Sequence, residues 1–243
     1  MKCGGDMNYY ISSCMFTRQF PDISKRIRDY ILSKYDIECL RCCVPNWAVK
    51  EHEENMPCGI LYEEWKNMPQ SEVFTQEDHT WSLCPNCINI IDEWRGAYVH
   101  SLWELIDQDE SFIFPDYSGL KVTIQDCWRL KERIEVQEAV RSILRKMNIE
   151  FVEIKKHHQE TDFCGKTLYR PQIKRNYTLA PKHYKENAIG LFQEHSEEEQ
   201  NELMKEHCSQ YETDIVICYC HYCLEGLIAG GVDGRHLAEL LFK

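Results

Sequence analysis

Cysteines carry the most chemical information in this sequence of 243 residues, which contains 14 of them. Two C-x-x-C pairs each follow a short apolar run, in "HTWSLCPNC" (residues 79–87) and in "DIVICYCHYC" (residues 214–223). A directly adjacent pair, Cys42-Cys43, ends a third run, "IECLRCC". Thiolates that converge from such positions bind zinc or iron–sulfur clusters. The spacing therefore predicts metal or redox chemistry.

The remaining composition favours a cytoplasmic globular protein. Hydrophobic residues make up 43% and charged residues 28%, and the net charge of −12 argues against nucleic acid or an anionic membrane as a partner. The start "MKCGGDMNYY" lacks the apolar run of an export signal, and the longest apolar stretch, residues 215–232, is interrupted by polar residues. We therefore expect a cytoplasmic location and no membrane insertion.

A reducing compartment changes how the cysteines are interpreted. In a cytoplasmic chain of this length, they indicate metal or redox chemistry rather than disulfides. The alternative is a set of buried free thiols, which pack as small apolar side chains. That alternative would explain Cys3, Cys58 and Cys208, but it explains the paired cysteines poorly.

The predicted strands and helices occur twice in the same order. We expect α/β architecture with a parallel sheet in each of two domains, residues 1–118 and 119–243. A capping box at Ser196 and Glu199 marks the start of a helix in the second half. Cysteines lie at the predicted strand ends in both halves: Cys14, Cys43 and Cys84 in the first, Cys127, Cys164 and Cys220 in the second.

Parallel strands bring their carboxyl ends to one edge of a sheet, where ligands bind, so distant cysteines can meet there. In the first half this edge would collect five sulfurs, those of Cys14, Cys42, Cys43, Cys84 and Cys87. Five exceeds the four ligands of a tetrahedral zinc ion or of an ordinary cubane cluster. A larger or more open cluster could use both members of the adjacent pair.

The pattern C…CC…C-x-x-C, given twice, resembles the CCG (cysteine-rich) domains found in the catalytic subunit of heterodisulfide reductase and in related iron–sulfur oxidoreductases. The resemblance covers essentially the whole chain. The stretches that carry it are "YYISSC", "SLCPNC", "IQDCWRL", "DFCG" and "HLAELL".

The resemblance implies two pseudo-repeated Rossmann-like CCG domains and a noncubane [4Fe–4S] cluster in the first. Its ligands, carried over onto this sequence, would be Cys14, Cys42, Cys43, Cys84 and Cys87. It also implies an oxidoreductase that takes electrons from an iron–sulfur or flavin protein. The substrate would be a small thiol or disulfide.

The second half departs from the family pattern, because Phe163-Cys164 stands where the family has a second Cys-Cys pair. Four sulfurs remain there as metal ligands, those of Cys127, Cys164, Cys220 and Cys223. They could hold a [4Fe–4S] cubane, a zinc ion or a modified form of the family's site, and Cys218 could supply a fifth sulfur. On this pattern, Phe163→Cys is expected to shift the second site towards the first.

Two other functional classes remain open from the sequence. The chain could be a non-catalytic electron-relay subunit, or its second metal could be a structural zinc. A thioredoxin-like dithiol fits less well, because both C-x-x-C pairs come late in their repeats. His221 lies inside the second pair, either as an exposed turn residue or as a group that tunes or binds the metal.

Overall fold

A computed structural model describes residues 7–44, 59–70 and 74–243. The chain divides into two compact units, Met1–Leu102 with Phe242 and Trp103–Leu241 with Lys243. Each of the two predicted segments, 1–118 and 119–243, contains one four-stranded sheet. All strand pairs in both sheets are parallel. The predicted fold class, α/β with two repeated Rossmann-like units, is confirmed.

The first unit contains a sheet with the strand order β2-β1-β3-β4. Its strands are β1 (Asn8–Ile11), β2 (Glu38–Leu40), β3 (His79–Ser82) and β4 (Tyr98–Ser101). The described helices of this unit are α1 (Cys14–Gln19), α2 (Pro21–Lys34), α3 (Ile60–Asn67) and α4 (Pro85–Arg95). Helix α5 (Leu102–Gln108) begins at the last residue of this segment and belongs otherwise to the second unit.

The second unit repeats this order as β6-β5-β7-β8. Its strands are β5 (Lys121–Gln125), β6 (Glu150–Glu153), β7 (Ile215–Cys218) and β8 (Asp233–His236). Its helices are α6 (Ile134–Lys146), α7 (Lys174–Leu179), α8 (Glu197–Cys208), α9 (His221–Ala229) and α10 (Leu237–Leu241). Short 3₁₀ turns cover Trp128–Leu130, His158–Glu160 and Gly165–Tyr169, and a π-helical turn covers Lys182–Glu186.

Local sequence explains where these elements begin and where they are buried. The inner strands β5 and β7 bury Val122, Ile124, Val216 and Ile217 completely, because helices cover both faces of a parallel sheet. Helix α8 begins at the predicted capping box, in which Ser196 Oγ accepts a hydrogen bond from the backbone N–H of its third residue. No helix in the described ranges is both long and apolar enough to cross a membrane.

The strand order fixes where a ligand would bind. In each unit the first strand lies between the second and the third, so the chain reverses its winding direction beside the first strand. The crevice at the carboxyl ends of strands on either side of such a reversal is the usual ligand site of doubly wound sheets. In the second unit this places the loops that follow β5 and β7 next to each other, with Gln125 paired to Cys218.

Candidate metal centre

Four cysteine sulfurs converge at this crevice in the second unit. They belong to Cys127, Cys164, Cys220 and Cys223, and they all lie within 4.8 Å of one another. All four residues are completely buried, and the sulfurs of Cys127 and Cys164 are 3.7 Å apart. The structure therefore brings together the whole set of second-half ligands predicted from the sequence.

The C-x-x-C pair of this group begins a helix. Cys220 is the N-cap of α9, two residues after β7 ends, and Cys223 lies in the first turn of α9. Residues three apart share one face of a helix, so both sulfurs point to the same centre. The partial positive charge at the helix N-terminus also favours the thiolate form that a metal requires.

Cys164 reaches the group through a close approach between two glycines. Gly165 has φ of +60°, and a Cβ there would lie 2.0 Å from the carbonyl oxygen of Tyr222 on α9. A Cβ on Gly226 would lie 2.5 Å from the Cα of Gly165. Glycine is needed at both positions because any side chain would push the Cys164 loop away from α9.

A buried arginine sits against the sulfurs. Arg129 is 3% exposed, and its Nε donates a hydrogen bond to Cys164 Sγ at 3.0 Å. Its Nη2 donates to Thr167 Oγ1 at 3.2 Å, and its guanidinium lies over the rings of Tyr184 and Tyr222 at 5.2 and 5.1 Å. A cation in this place offsets part of the negative charge that several thiolates would bring into a dry interior.

The sulfurs differ in their affinity for protons. Burial opposes ionisation of Cys164, but hydrogen bonds from the three other cysteines and the charge of Arg129 hold the pKa of Cys164 well below its usual value. Burial raises the pKa of Cys127 and of Cys223 well above the usual value of a thiol. A bound metal would take the place of the remaining protons, which is how four thiols become four ligands.

A polar network fixes the loop that carries Cys127. The buried carboxylate of Asp126 accepts hydrogen bonds from Arg141 at 3.1 and 2.7 Å and from the hydroxyl of Tyr219 at 2.8 Å. Burial raises the pKa of Asp126, but the hydrogen bonds and charge of Arg141 outweigh burial and leave it below its usual value. Arg141 also binds Glu153 on β6 at 2.7 and 2.8 Å. Such outer partners keep ligand residues in place.

The distance between two of the sulfurs can be compared with that expected around a single tetrahedral ion. Zn–S bonds of about 2.3 Å at tetrahedral angles place sulfurs about 3.8 Å apart, which agrees with the 3.7 Å between Cys127 and Cys164. A four-iron cluster separates its cysteine sulfurs further, because iron and sulfide atoms lie between them. The donor set suits either group.

The first unit places its predicted ligands on equivalent elements. Cys84 is the N-cap of α4 and Cys87 lies in its first turn, as in the second unit. Hydrogen bonds with Cys43 and then Cys84, together with burial, raise the pKa of Cys87 well above its usual value, so the Cys87 thiol contacts both. Unlike the second unit, the described residues of this unit contain no group of three cysteine sulfurs that all lie within 4.8 Å of one another. Cys42 is buried against Trp65, and Cys14 packs against the same cluster. Of the five, Cys14 alone is partly exposed.

The other cysteines behave as buried thiols. Cys218 is completely buried, donates to the carbonyl of Cys220 at 3.6 Å, and lies outside the four-sulfur group. Burial raises the pKa of Cys39 and of Cys208 to about 11. Cys3 and Cys58, which the buried-thiol alternative would also explain, lie outside the described residues.

Phe163 and Cys164 direct their side chains to different neighbours. The Phe163 ring stacks on His207 of α8 with 4.0 Å between centroids, while the sulfur of Cys164 contacts Cys127 and Arg129. A sulfur at position 163 would start in the direction of the ring, towards α8. The expectation that Phe163→Cys restores a fifth ligand therefore loses its geometric basis.

Some site residues were not predicted from the sequence. Nothing in "CWRL" marks Arg129 as the buried partner of a cysteine 35 residues further on. A second group of possible ligands lies at the end of β6. It consists of Glu153, His157 and His158, whose ligand atoms lie within 4.8 Å of one another. The carboxylate of Glu153 is bound by Arg141, so this group supports the network around Asp126.

Comparisons with known proteins add little. No protein-family model and no curated protein matches the chain. A crystal structure of glutamate racemase isoform RacE1 from Bacillus anthracis is 13% identical, with 98% of this chain and 78% of that chain covered and a TM-score of 0.31. A similarity this low carries no argument about function.

Proposed function

We propose that this chain is an iron–sulfur redox protein of the CCG type that acts on a small thiol or disulfide substrate, reducing the disulfide to thiols. The observation that supports thiolate–metal chemistry in this chain best is the group of four buried sulfurs in the second unit, which lie within 4.8 Å of one another, with Arg129 donating to that of Cys164. The first unit repeats the C-x-x-C helix start that carries two of them. An apolar core does not need four thiols at one point. A thiolate-ligated metal centre does need them.

The first unit would hold the catalytic cluster. Cys87 contacts Cys43 and Cys84, and Cys14 packs against the cluster of Cys42 and Trp65. These five cysteines would have to close around a noncubane [4Fe–4S] cluster when it binds. Such a cluster, when bound, supplies single electrons next to an iron that can accept a substrate sulfur. Cleavage of one S–S bond to two thiols consumes two electrons and two protons, and an iron–sulfur or flavin protein would supply the electrons.

The second unit has a different candidate metal. The 3.7 Å spacing and complete burial of its ligands favour a structural zinc ion over a [4Fe–4S] cubane. This ion would hold together three segments of the unit: the loops after β5 and β6 and the start of α9. In that case the two units share a fold but differ in role. The cluster of the first unit would carry out the redox chemistry, and the metal ion of the second would stabilise its fold.

Metal analysis tests the proposal. Anaerobically purified protein is expected to be brown, with iron and acid-labile sulfide in the first unit and one metal ion in the second. Cys42→Ser should remove iron and sulfide, and Cys164→Ser should remove the second metal. The matched control is Cys218→Ala, a buried cysteine outside the group of four, which should remove neither. Colourless protein with zinc but no sulfide would overturn the iron–sulfur assignment.

A spectroscopic test separates an enzyme from an electron relay. If a substrate sulfur binds iron, a small thiol should change the paramagnetic spectrum of the first cluster. A spectrum that no thiol changes, with electron exchange to a partner intact, would support the relay and a wholly enclosed cluster. The cytoplasmic location, which motivates the use of reduced thiols, remains a prediction.

A further inference from the structure

Two histidines and a glutamate form a group at the carboxyl end of β6, outside the four-sulfur group. This histidine site consists of Glu153, His157 and His158, each with a ligand atom within 4.8 Å of those of the other two. The two Nδ1 atoms of the histidines face each other at 2.5 Å. Two imidazoles and one carboxylate are the protein ligands of many zinc and non-haem iron sites, which keep further positions open for water.

Glu138 determines which nitrogen of His158 can bind a metal. Its Oε1 lies 2.9 Å from Nε2 of His158. A carboxylate only accepts hydrogen bonds, so Nε2 carries the proton and Nδ1 of a neutral His158 keeps its lone pair. A carboxylate in this place is the usual outer partner of a metal-binding histidine, because it orients the ring and makes the other nitrogen more basic.

The facing nitrogens can both become ligands. Because Nδ1 of His158 holds a lone pair, Nδ1–H of His157 is the donor between them. A neutral His157 can carry its proton on Nε2 instead, which presents a second Nδ1 lone pair to an ion. Zn–N bonds of about 2.0 Å at tetrahedral angles place two nitrogens about 3.3 Å apart, so the rings would separate by about 0.8 Å.

The charges around the histidine site favour a cation. Glu153 accepts from Arg141 through both oxygens, at 2.7 and 2.8 Å, and each oxygen retains a second lone pair for a metal ion. Arg141 shares its single positive charge between Glu153 and Asp126, and Glu138 adds a third carboxylate. Three carboxylates against one guanidinium leave a net charge of −2, which a divalent ion would balance.

The histidine site is open to solvent but held by a fixed turn. The side chains of Glu153 and His158 are 28% and 21% exposed, so an ion can enter and water can complete its coordination. The backbone N–H of His158 donates to the buried carboxylate of Asp126 at 2.7 Å. Lys155 and Lys156, which precede the turn, line a cavity that does not include the three ligand residues, so they leave the site to a metal.

We propose that Glu153, His157 and His158 bind a divalent transition-metal ion of the zinc class, with water in its remaining positions. Mg²⁺ and Ca²⁺ prefer oxygen ligands, whereas imidazole nitrogens suit zinc, nickel and copper. This site goes beyond the proposed redox function. Its ligands are not cysteines, so it would bind its ion whichever metal the four sulfurs hold.

Zn²⁺ is the probe for this site. The full-length protein would be washed with a chelator, its remaining metal measured, and Zn²⁺ then added by calorimetry. One further equivalent is expected to bind, and Mg²⁺ should not compete. His157→Ala should weaken this binding at least tenfold, and Glu138→Gln by about tenfold, because His158 loses its charged partner. His195→Ala is the matched control: its side chain is 31% exposed and outside the group, so it should have no effect.

Co²⁺ in place of Zn²⁺ separates this site from the cysteines. The added equivalent should show only the weak bands of nitrogen and oxygen ligands, whereas an intense sulfur-to-cobalt band would place it on cysteines and overturn the proposal. Folded protein that takes up no further equivalent would overturn it too, as would binding that His157→Ala does not change or that His195→Ala weakens equally. Iron and sulfide, measured on the same samples, test the redox function separately, whatever the result at the histidines.

Discussion

At the scale of single residues, the unusual feature is a buried arginine that donates to a cysteine sulfur. The positive charge of Arg129 stabilises the Cys164 thiolate, which would otherwise be costly to bury away from water. The hydrogen bond between them is strong because both groups are buried and water does not compete for it. Loss of a hydrogen-bond partner of a metal ligand typically lowers metal affinity about 10- to 100-fold.

Arg129→Met is expected to weaken metal binding by the second unit about 10- to 100-fold, because the Cys164 thiolate loses its donor. Competition with a chromogenic chelator measures this. The matched control is Arg175→Met, which removes another buried arginine, one that binds Asn176. Equal metal loss in both variants would mean that the effect comes from packing rather than from the contact with sulfur.

Phe163 gives a second prediction at this scale. Phe163→Cys should leave the metal stoichiometry and spectrum of the second site unchanged, since the side chain points towards His207. It should lower the free energy of unfolding by about 2–4 kcal/mol, because a buried ring that packs on α8 is lost. A new absorption band in the variant would show that the loop can turn a fifth sulfur inwards.

At the scale of elements, both units use the same device: a short parallel strand followed by a helix whose first turn carries C-x-x-C. The second unit adds a loop that can approach α9 only because two glycines face each other. The position of the Cys164 sulfur therefore depends on the backbone geometry of its loop as well as on the presence of the cysteine.

Gly165→Ala should reduce both stability and metal affinity. The added Cβ would meet the Tyr222 carbonyl at 2.0 Å, so the Cys164 loop would have to move away from α9. Gly190→Ala is the control: it has φ of +76° but nothing within 4 Å, so it should cost about 1 kcal/mol of backbone strain and no metal. Urea unfolding and chelator competition report the two effects. Unchanged metal affinity in Gly165→Ala would show that the loop tolerates the shift.

At the scale of the whole molecule, acid should destabilise the fold through buried histidines. Burial lowers the pKa of His207 to about 4 and that of His236 to about 3. In the unfolded chain a histidine takes up a proton below about pH 6.5. The unfolded state then binds more protons than the folded state, so stability falls as pH drops from about 6.5 to about 4.

His207→Gln tests the sign of this effect. Each such histidine can contribute a slope of up to about 1.4 kcal/mol per pH unit within that window. The free energy of unfolding would be measured by urea denaturation between pH 7 and 4.5. The difference between wild type and variant should shift against wild type as pH falls, because only wild type has His207 to protonate on unfolding. The cysteine ligands are common to both proteins, so their titration cancels in the difference. A difference that stays constant with pH would contradict the assigned burial effect.

Much of this protein was predictable from sequence because the relevant patterns are local. Apolar runs of strand length, alternating with helices, predicted two α/β units, and a cysteine at the end of a strand remains there however the strands pack. The four cysteines that converge in the second unit could thus be named before any contact was known. The five-cysteine cluster and the relation to CCG domains remain predictions.

Tertiary structure alone decided how the second site is built. Cys127 and Cys164 are 37 residues apart, and Asp126 and Tyr219 are 93 apart, so no local pattern records their contacts. The same holds for Arg129 beneath Cys164, for the Gly165–Gly226 approach and for the direction of the Phe163 ring. Sequence determines which residue types stand at the ends of strands. Which sulfurs, charges and rings finally touch depends on packing between distant segments, and that packing set the sulfur spacing.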